Sequence, residues 1–399
     1  MTARVPRRAG GDVAAAIVAT GQTDHVSRRL DASMAEIARE AIDRCLASRG
    51  LAFDEVDAVV AGNMEMFEGI YLVDQFFVDA LGALGKPLFK LNTGGTVGAS
   101  VAVACWHLVA SGRYRTVLGV GFEKQSDGST QAAITTVGDP IWERAVMAGA
   151  IGNFATMAST YIHESGVTEL QAAKVAVKAR HNACRNPHAH LKLPDLTVED
   201  VLASEYLAYP IHRLDMCPSS DGACAIVMAA TGRAEQLAEH PAWVHAAVTA
   251  HDQQYMGDSP KRLAVMRSLR AAAEKGYRKA GITEPFRDFD VAEIYEPASY
   301  AELAMCENLG ICEMGEGGRL IDEGLTLIDG PLPVNPSGGV QSTNPVGATA
   351  LIRVAEAAMQ VMGEAGEHQV SGVSRALATG YGGNAWTDLL ILSRERPQA

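Results

Sequence analysis

The apolar positions of the first third of the chain alternate between helical and strand spacing. A helix is predicted from the N-cap Ser33 to about Ser48, and another over 72–84; strands are predicted over 56–61, 87–91 and 116–121. The segment 99–111 is rich in small residues and almost uncharged, which predicts a buried central helix. Strands that alternate with helices predict an α/β fold with helices on both faces of a sheet.

The pattern changes after about residue 124 and returns after about residue 210. The region between is rich in Gly, Thr, Met and His, and it predicts an inserted, partly helical lobe. The later elements are strands over 223–229, 243–250, 291–295, 374–378 and 387–392 and helices over 261–280, 300–309 and 349–363. We therefore divide the chain into an N-terminal half (1–123), a loop domain (124–215) and a C-terminal half (216–399).

Two glycine-rich loops, 92–98 and 334–348, each precede a helix of small residues. In the second loop Gly338 and Gly339 can adopt positive φ and allow close approach of a ligand or another backbone, and Pro345 suits a first helical turn. Such a loop presents free N–H groups to an anion, although an ordinary strand-to-helix turn has the same composition. The two loops indicate either a tandem duplication with a ligand between the helices or a chance similarity.

Composition narrows the class of protein. With 48% hydrophobic and 20% charged residues, the 399 residues can bury a large core and are long enough for two similar halves. The net charge of -13 argues against nucleic-acid binding, but not against a small anionic ligand. No apolar run predicts a membrane span. Seven cysteines without a C-x-x-C motif favour reduced thiols in a cytoplasmic protein over disulfides or a zinc site, and we assign Cys217 and Cys224 to the core.

Four motifs resemble, in order, those of the thiolase superfamily, in particular its sterol carrier protein x and archaeal members. They are Asn186-Pro187 with 196–201, the strand 221–227 (Asp-Gly-Ala-Cys-Ala-Ile-Val), the loop 335–339 (Asn-Pro-Ser-Gly-Gly) with 345–348 (Pro-Val-Gly-Ala), and the turn 380–383 (Gly-Tyr-Gly-Gly). The resemblance covers nearly the whole chain. It implies the thiolase fold, with two βαβαβαββ halves in a five-layered αβαβα arrangement and an inserted loop domain. It also implies a coenzyme A thioester substrate and a homodimer. We expect no separate cofactor, and no metal because no histidine or cysteine spacing matches a zinc motif.

The same resemblance shows where the chemistry departs from the family. The nucleophilic Cys of the family's N-x-x-C segment falls on Gly95, so no thiolate can form there. The histidine of its G-H-P motif falls on Asn344, which can donate a hydrogen bond but cannot act as a base near neutral pH. The second family histidine falls on Tyr295. Nucleophilic acyl transfer therefore loses its covalent acceptor and its base together.

Two phenols occur at these motifs, Tyr295 at a catalytic position and Tyr381 inside the glycine turn. This pattern resembles the thiolase-like aldolases that shorten steroid side chains in bacteria, which use no Cys nucleophile and pair with an OB-fold, zinc-ribbon protein. The resemblance implies retro-aldol cleavage of a β-hydroxyacyl-CoA, such as a steroid or bile-acid side-chain CoA ester, to a ketone or aldehyde plus propionyl-CoA or acetyl-CoA. It also implies a heterotetramer with a subunit of that kind.

That reaction assigns expected roles to three tyrosines. Tyr295 is expected to take the β-hydroxyl proton if its neighbours lower its pKa, and Tyr381 or Tyr300 is expected to protonate the enolate carbon. The alternative for each of the three is a buried structural tyrosine.

The thioester also needs a binding site. Asn344 and the backbone N–H groups of Gly382 and Gly383 are expected to bind its oxygen. His251 is expected to line the thioester tunnel, the alternative being a catalytic pair with Asp252. Glu296 either tunes the pKa of Tyr295 or merely replaces a family Asp. The other predicted substrate-binding residues are Gly95, Gly338 and Gly339.

Two rival functions stay open at this point. The first is a thiolase or acyltransferase with an unrecognised nucleophile, for which Cys105 is the nearest candidate in sequence. The second is a non-catalytic, thiolase-like lipid-binding or scaffold subunit. Acylation of a cysteine would favour the first rival, and binding of acyl-CoA without turnover would favour the second.

Overall fold

The computed structural model describes residues 13–69, 72–252, 264–383 and 385–398. The start of the predicted helix 261–280 lies outside these residues. The strands of the described residues are β1 (Ala15–Gln22), β2 (Ala58–Gly62), β3 (Leu88–Leu91), β4 (Thr116–Lys124), β5 (Tyr206–Ala208), β6 (Ile211–His212), β7 (Asp221–Ala230), β8 (Ala242–His251), β9 (Val291–Glu293), β10 (Arg375–Tyr381) and β11 (Trp386–Ser393).

The helices of the same residues are α1 (Met34–Ala47), α2 (Val73–Phe76), α3 (Val97–Ala110), α4 (Thr130–Thr135), α5 (Gly149–Ser165), α6 (Glu169–Ala183), α7 (Val198–Ala203), α8 (Ala234–Leu237), α9 (Arg267–Ala280), α10 (Pro285–Asp288), α11 (Ser299–Asn308), α12 (Gly317–Asp322), α13 (Gly339–Ser342) and α14 (Val346–Met362). α2 ends at Phe76, much earlier than the predicted helix 72–84; the chain then turns over residues 78–82, with positive φ at Gly82. None of the described helices is long and apolar enough to cross a membrane.

Nine strands form one sheet in the order β3-β2-β4-β7-β1-β8-β11-β10-β9. Only two residue pairs join β1 to β8, so the sheet divides there into an N-terminal group of five strands and a C-terminal group of four. In the C-terminal group Val334 adds a parallel bridge to Ala292 of β9, where the N-terminal group has a full strand. The two halves thus follow the predicted βαβαβαββ order.

The position of β7 refines this organisation. β7 pairs antiparallel with both β4 and β1, so it completes the N-terminal sheet, although the predicted range 216–399 assigns it to the C-terminal half. The lobe that carries helices α4 to α7 is therefore inserted between β4 and β7, within the N-terminal half, and not between the halves. The domain boundaries themselves stay a prediction.

The two central helices lie between the two halves of the sheet. α3 and α14 pack on each other, and each contacts strands of both halves. α1 covers the outer face of β1, β4 and β7, and α9 covers β8 and β11. This gives the predicted five layers. Almost every residue of α14 is buried, whereas α3 is buried mainly over its first three turns.

A buried ion pair and the hydrogen bonds around it hold the loop that leads into α14. Arg353 of α14 bonds to the carboxylate of Glu293 and to the hydroxyl of Ser337, and the Ser337 N–H also donates to Glu293 at 3.1 Å. These groups lie in the protein interior, where a charge needs a partner. The loop is thereby fixed to β9, which carries Tyr295 just beyond its end.

Candidate active site

The first turns of α3 and α14 meet at a cavity of about 530 Å³. Its apolar wall comes from Met64, Met66, Ile134, Val137, Met147, Ile151 and Phe154, several of them in the inserted lobe. Its polar end contains the groups on which chemistry depends: Gly95, Cys217, Tyr295, Asn344, Tyr381, Gly382 and Gly383. A largely apolar pocket with a few convergent polar groups is the usual form of a small-molecule site.

Tyr295 lies just after β9 and is only 4% exposed. Its backbone N–H donates to Thr379 Oγ1 at 3.0 Å, and its hydroxyl shares a hydrogen bond with Thr349 of α14. Burial raises the pKa of the Tyr295 phenol, and the nearby Cys217 raises it further, more than Thr349 lowers it. The condition that neighbours lower this pKa is therefore not met: burial and Cys217 both raise it, and the resting phenol is neutral.

Asn344 is fixed by bonds on both sides of its amide. Its Oδ1 accepts from Thr349 Oγ1 at 2.8 Å, and its Nδ2 donates to Cys217 Sγ at 3.1 Å. Its backbone N–H donates to Ser220 Oγ at 3.1 Å. Because Thr349 bonds to both Tyr295 and Asn344, one hydroxyl orients the phenol and the amide together. An amide nitrogen has two hydrogens, so one stays available for a substrate oxygen.

Gly95, where the resemblance in sequence places the family nucleophile, has surroundings that leave no room for a side chain. A Cβ at this position would lie 2.6 Å from the backbone oxygen of Tyr381. That oxygen belongs to the last residue of β10, which the hairpin with β11 holds in place. The cavity is thus built around a glycine here.

We therefore expect Gly95→Cys not to create an acyltransferase. The new side chain must displace the end of β10, so the free energy of unfolding should fall by about 1–3 kcal/mol. Thermal unfolding and intact mass after incubation with acetyl-CoA measure both effects. Ala150→Cys is the matched control, since it places a thiol in the same cavity on a residue that already has a Cβ. A Gly95→Cys protein as stable as the parent and acylated at residue 95 would contradict this interpretation of the loop.

Tyr381 also lines the cavity. Its ring centroid lies 6.2 Å from that of Tyr295, and its hydroxyl lies 3.8 Å from the sulfur of Met157. Burial raises the pKa of its phenol. The two phenols therefore share one pocket and both carry their protons at rest.

The glycine turn after Tyr381 is only partly available for binding. The Gly382 N–H donates to the backbone oxygen of Trp386 at 2.8 Å, so the prediction that it binds a thioester oxygen is wrong. The hairpin between β10 and β11 uses this donor. Gly383, with φ of 68°, lines the cavity. His251 stands behind the wall, its ring centroid 3.9 Å from that of Trp386, which does line the cavity.

The cavity wall does not include four other predicted residues: Tyr300, Glu296, Gly338 and Gly339. Tyr300, on α11, faces Asp215 and the residues around Tyr206, so the structure does not bring it to Tyr295. The carboxyl of Glu296 is fully buried and accepts from the Gln341 N–H at 3.3 Å; burial raises its pKa to about 8.

Gly338 and Gly339 serve packing. A Cβ at the first would lie 2.7 Å from Ala183, and one at the second 2.1 Å from a Glu296 oxygen. Both adopt positive φ as predicted. Their role is to let the loop pack closely under the site, and no contact places them at the cavity.

Cys217 is a site residue that the sequence does not reveal. The sequence predicts that it belongs to the core with Cys224; Cys224 is indeed fully buried in β7, but Cys217 lines the cavity. Its contact with Asn344 joins residues that are 127 positions apart, and no local pattern reveals such a contact. Cys105, the cysteine named for the acyltransferase alternative, is buried on α3, near Gly119 of β4.

The chain matches two family models, the thiolase N-terminal domain over residues 13–193 and the thiolase C-terminal domain-like model over residues 248–394. It is also 31% identical, over 90% of its length and 93% of the relative, to the acetyl-CoA acetyltransferase of Methanothermobacter thermautotrophicus. The chain therefore belongs to the thiolase family.

Two further similarities lie on the lyase side of that family. The chain is 27% identical, over 94% of its length and 98% of the relative, to the 17-hydroxy-3-oxo-4-pregnene-20-carboxyl-CoA lyase of Mycobacterium tuberculosis. It is also similar to the solved structure of the Ltp2-ChsH2(DUF35) aldolase, with a TM-score of 0.83, 25% identity, and coverage of 96% of this chain and 99% of that one.

Proposed function

We propose that this protein is a carbon–carbon lyase that cleaves a β-hydroxyacyl-CoA by a retro-aldol reaction. The observation that carries the proposal is the pairing of two features in one cavity. The place of the thiolase nucleophile is closed by the Tyr381 carbonyl against Gly95, while the Tyr295 phenol and the Asn344 amide line the same space. The cavity thus lacks the covalent acceptor at its usual place but keeps groups suited to proton transfer and to stabilising an enolate oxygen.

In the proposed reaction the Tyr295 phenolate accepts the β-hydroxyl proton. The Cα–Cβ bond then breaks, the β-carbon becomes a ketone or aldehyde, and the electron pair passes to a thioester enolate. Asn344 Nδ2 and the Gly383 N–H donate to the enolate oxygen. A proton delivered to Cα releases the shorter acyl-CoA, propionyl-CoA or acetyl-CoA. The coenzyme A enters as part of the substrate, so the reaction needs no other cofactor.

The raised pKa of Tyr295 gives a pH prediction. Only the phenolate can act as the base, and below its pKa the phenolate fraction rises about tenfold per pH unit. Because burial moves this pKa upwards, turnover should rise continuously from neutral into alkaline pH, without a plateau near neutrality. Initial rates of ketone formation between about pH 6.5 and 9.5 measure this. A bell-shaped profile centred near neutrality would show that another group is the base.

The apolar wall supports a bulky acyl group as the substrate. Four methionines line the cavity, Met64, Met66, Met147 and Met216, and their flexible side chains adapt to large apolar shapes. The similarity to a steroid-CoA lyase favours a steroid or bile-acid side-chain CoA ester within this class.

We also propose a homodimer that associates with an OB-fold, zinc-ribbon subunit as a heterotetramer. β3 is an edge strand of the sheet; its Phe89 is exposed, as are the apolar Phe76 and Leu84 of the segment that precedes it in sequence, which supports a second copy at this edge. Ile141, Trp142 and Val146 of the inserted lobe are also exposed, close in sequence to the cavity-lining Val137 and Met147, and they suit the other subunit. The similarity to the Ltp2-ChsH2(DUF35) aldolase supports a partner of this kind.

Product analysis tests the function. The protein is incubated, alone and with a co-expressed OB-fold subunit, with a 17-hydroxy steroid side-chain CoA ester, and the products are identified by mass spectrometry. A 17-keto steroid together with a short acyl-CoA supports the lyase. Tight binding of the ester with no product under either condition would contradict it and favour a non-catalytic subunit.

A further inference from the structure

Cys217 combines exposure to the cavity with two supporting groups. Of the cysteines in the described residues, it is the one that lines the cavity. Its backbone N–H donates to the oxygen of Pro297 at 3.0 Å, which fixes it beside the segment that follows Tyr295. Its sulfur accepts the hydrogen bond from Asn344 Nδ2 at 3.1 Å. The thiol therefore stands next to the amide that would bind the thioester oxygen.

A buried cation interacts electrostatically with this thiol. Arg180 is 0% exposed, and its Nη2 donates to the backbone oxygens of Met216 at 3.0 Å and Leu214 at 3.4 Å. Its Nε and Nη1 have no hydrogen-bond partner among the described residues, and a buried donor of this kind is expensive to leave unpaired. Arg180 interacts electrostatically with Cys217. A thiolate at Cys217 would thus be stabilised by the positive charge of Arg180 and by the hydrogen bond from the Asn344 amide.

The resting state of this cysteine is the thiol. Burial raises the pKa of Cys217 to about 12, and Arg180 and the bond from Asn344 offset only part of that shift. The group therefore keeps its proton at neutral pH. It can give that proton to a strong base such as an enolate carbon, and the thiolate that remains is stabilised by its neighbours.

We propose that Cys217 is the acid that protonates the enolate carbon. The proposal rests on the function proposed above and names the group that completes its reaction. The S–H bond breaks, the proton forms the new C–H bond at Cα, and the electron pair of the enolate returns to the carbonyl. Tyr295 first loses its resting proton to solvent and then takes the β-hydroxyl proton, and the Cys217 thiolate takes a proton back from solvent after the C–H bond has formed. The net result is that the substrate loses its β-hydroxyl proton and gains one at Cα, and both side chains return to their protonated resting state.

The geometry at Asn344 favours Cys217 over the tyrosines. One Nδ2 hydrogen points to Cys217 Sγ, and the other is available for the thioester oxygen. Since Cα is bonded to the carbon that carries this oxygen, a thioester bound at Asn344 can place its Cα next to Cys217 Sγ. By contrast, the Tyr381 hydroxyl contacts Met157, and Tyr300 does not line the cavity.

Alkylation by a reactive acyl-CoA tests whether the Cys217 sulfur can reach Cα of a bound acyl-CoA, and it does so without requiring cleavage of a substrate. In bromoacetyl-CoA the electrophilic carbon is Cα, so attack by the cysteine displaces bromide and leaves a stable thioether. We expect bromoacetyl-CoA to alkylate Cys217 selectively, as peptide mass spectrometry would show. Excess propionyl-CoA, which competes for the same site, should slow this alkylation at least about tenfold. The matched control Cys312→Ser removes a half-buried cysteine outside the cavity and should label like the parent. Labelling of other cysteines with Cys217 unmodified would overturn the proposal.

Hydrogen exchange gives the second readout. In D2O, the protein should exchange the α-hydrogens of propionyl-CoA, because exchange is the protonation step run in both directions. Cys217→Ala should slow this exchange and steroid ester cleavage by about 10²-fold or more while circular dichroism stays unchanged. If Tyr381→Phe stops the exchange and Cys217→Ala does not, Tyr381 is the acid and the proposal fails, whereas the lyase function stands. If the parent protein cleaves no ester yet is alkylated at Cys217, the proposed function fails instead.

Discussion

Replacing Tyr295 with Phe should lower the turnover of a β-hydroxyacyl-CoA by about 10²–10⁴-fold, because the substitution removes the only atom of this side chain that can accept the β-hydroxyl proton. The ring stays, so the packing of this buried residue should be nearly unchanged. KM should change little, since the phenol acts on the transition state more than on binding. Initial rates with the steroid ester, together with thermal unfolding, separate the loss of chemistry from a loss of folding.

Tyr300→Phe is the matched control for this variant. Tyr300 is also buried, but its hydroxyl has no hydrogen-bond partner in the described part of the chain and lies outside the cavity wall. Its loss should leave turnover within about twofold and stability nearly unchanged. Near-normal turnover in Tyr295→Phe, or an equal loss in both variants, would remove Tyr295 from the mechanism.

Asn344→Ala should have the second large effect, a loss of about 10²–10³-fold in turnover, which is typical for removal of one donor from an oxyanion site. The truncation also leaves the hydroxyl of Thr349 and the sulfur of Cys217 without their amide partner. An unpaired buried hydroxyl costs about 1–3 kcal/mol, so a measurable loss of stability should accompany the loss of activity.

Asn153→Ala provides the comparison for Asn344. Asn153 is an asparagine of the inserted lobe that lines the same cavity, so its removal changes the volume and polarity of the pocket without touching the Thr349 hydrogen bonds. We expect its effect to fall mainly on KM. A loss of turnover in Asn153→Ala equal to that in Asn344→Ala would mean that pocket shape, and not the oxyanion contact, explains both results.

The fold could be predicted because its signals are local or lie in short motifs. Ser33 caps α1 and forms a capping box with Glu36, as the helix start requires, and α14 begins one residue after Pro345. The place of β7 was not predictable from its own apolar run. An antiparallel pairing of residues 221–230 with both β1 and β4 depends on contacts with strands about a hundred or more residues earlier.

In the candidate site, too, the residues of short motifs could be predicted, whereas the properties that depend on the whole fold could not. Gly95, Tyr295, Asn344 and Tyr381 could be named because each falls within a recognisable motif, and the structure brings them to one cavity. The availability of a backbone donor could not be predicted, since the register of the hairpin decides whether Gly382 is already bonded. The pKa of Tyr295 depends on burial, and burial is a property of the whole fold.

Thr349 is the clearest example of a site residue that the sequence does not reveal. It is an ordinary helix residue in the sequence, yet its hydroxyl connects Tyr295 and Asn344, which come from two different segments. Only the packing of α14 against β9 and β10 creates this arrangement.

The dependence of product formation on free coenzyme A tests the central claim most directly. A retro-aldol lyase consumes no second substrate, so we predict that the steroid ester is cleaved at the same rate with and without added coenzyme A. A thiolase must transfer its acyl group to coenzyme A. The account would be contradicted if the β-hydroxy ester gave no product while a 3-ketoacyl-CoA gave product only in the presence of free coenzyme A. That result would return this chain to the acyltransferases of its family.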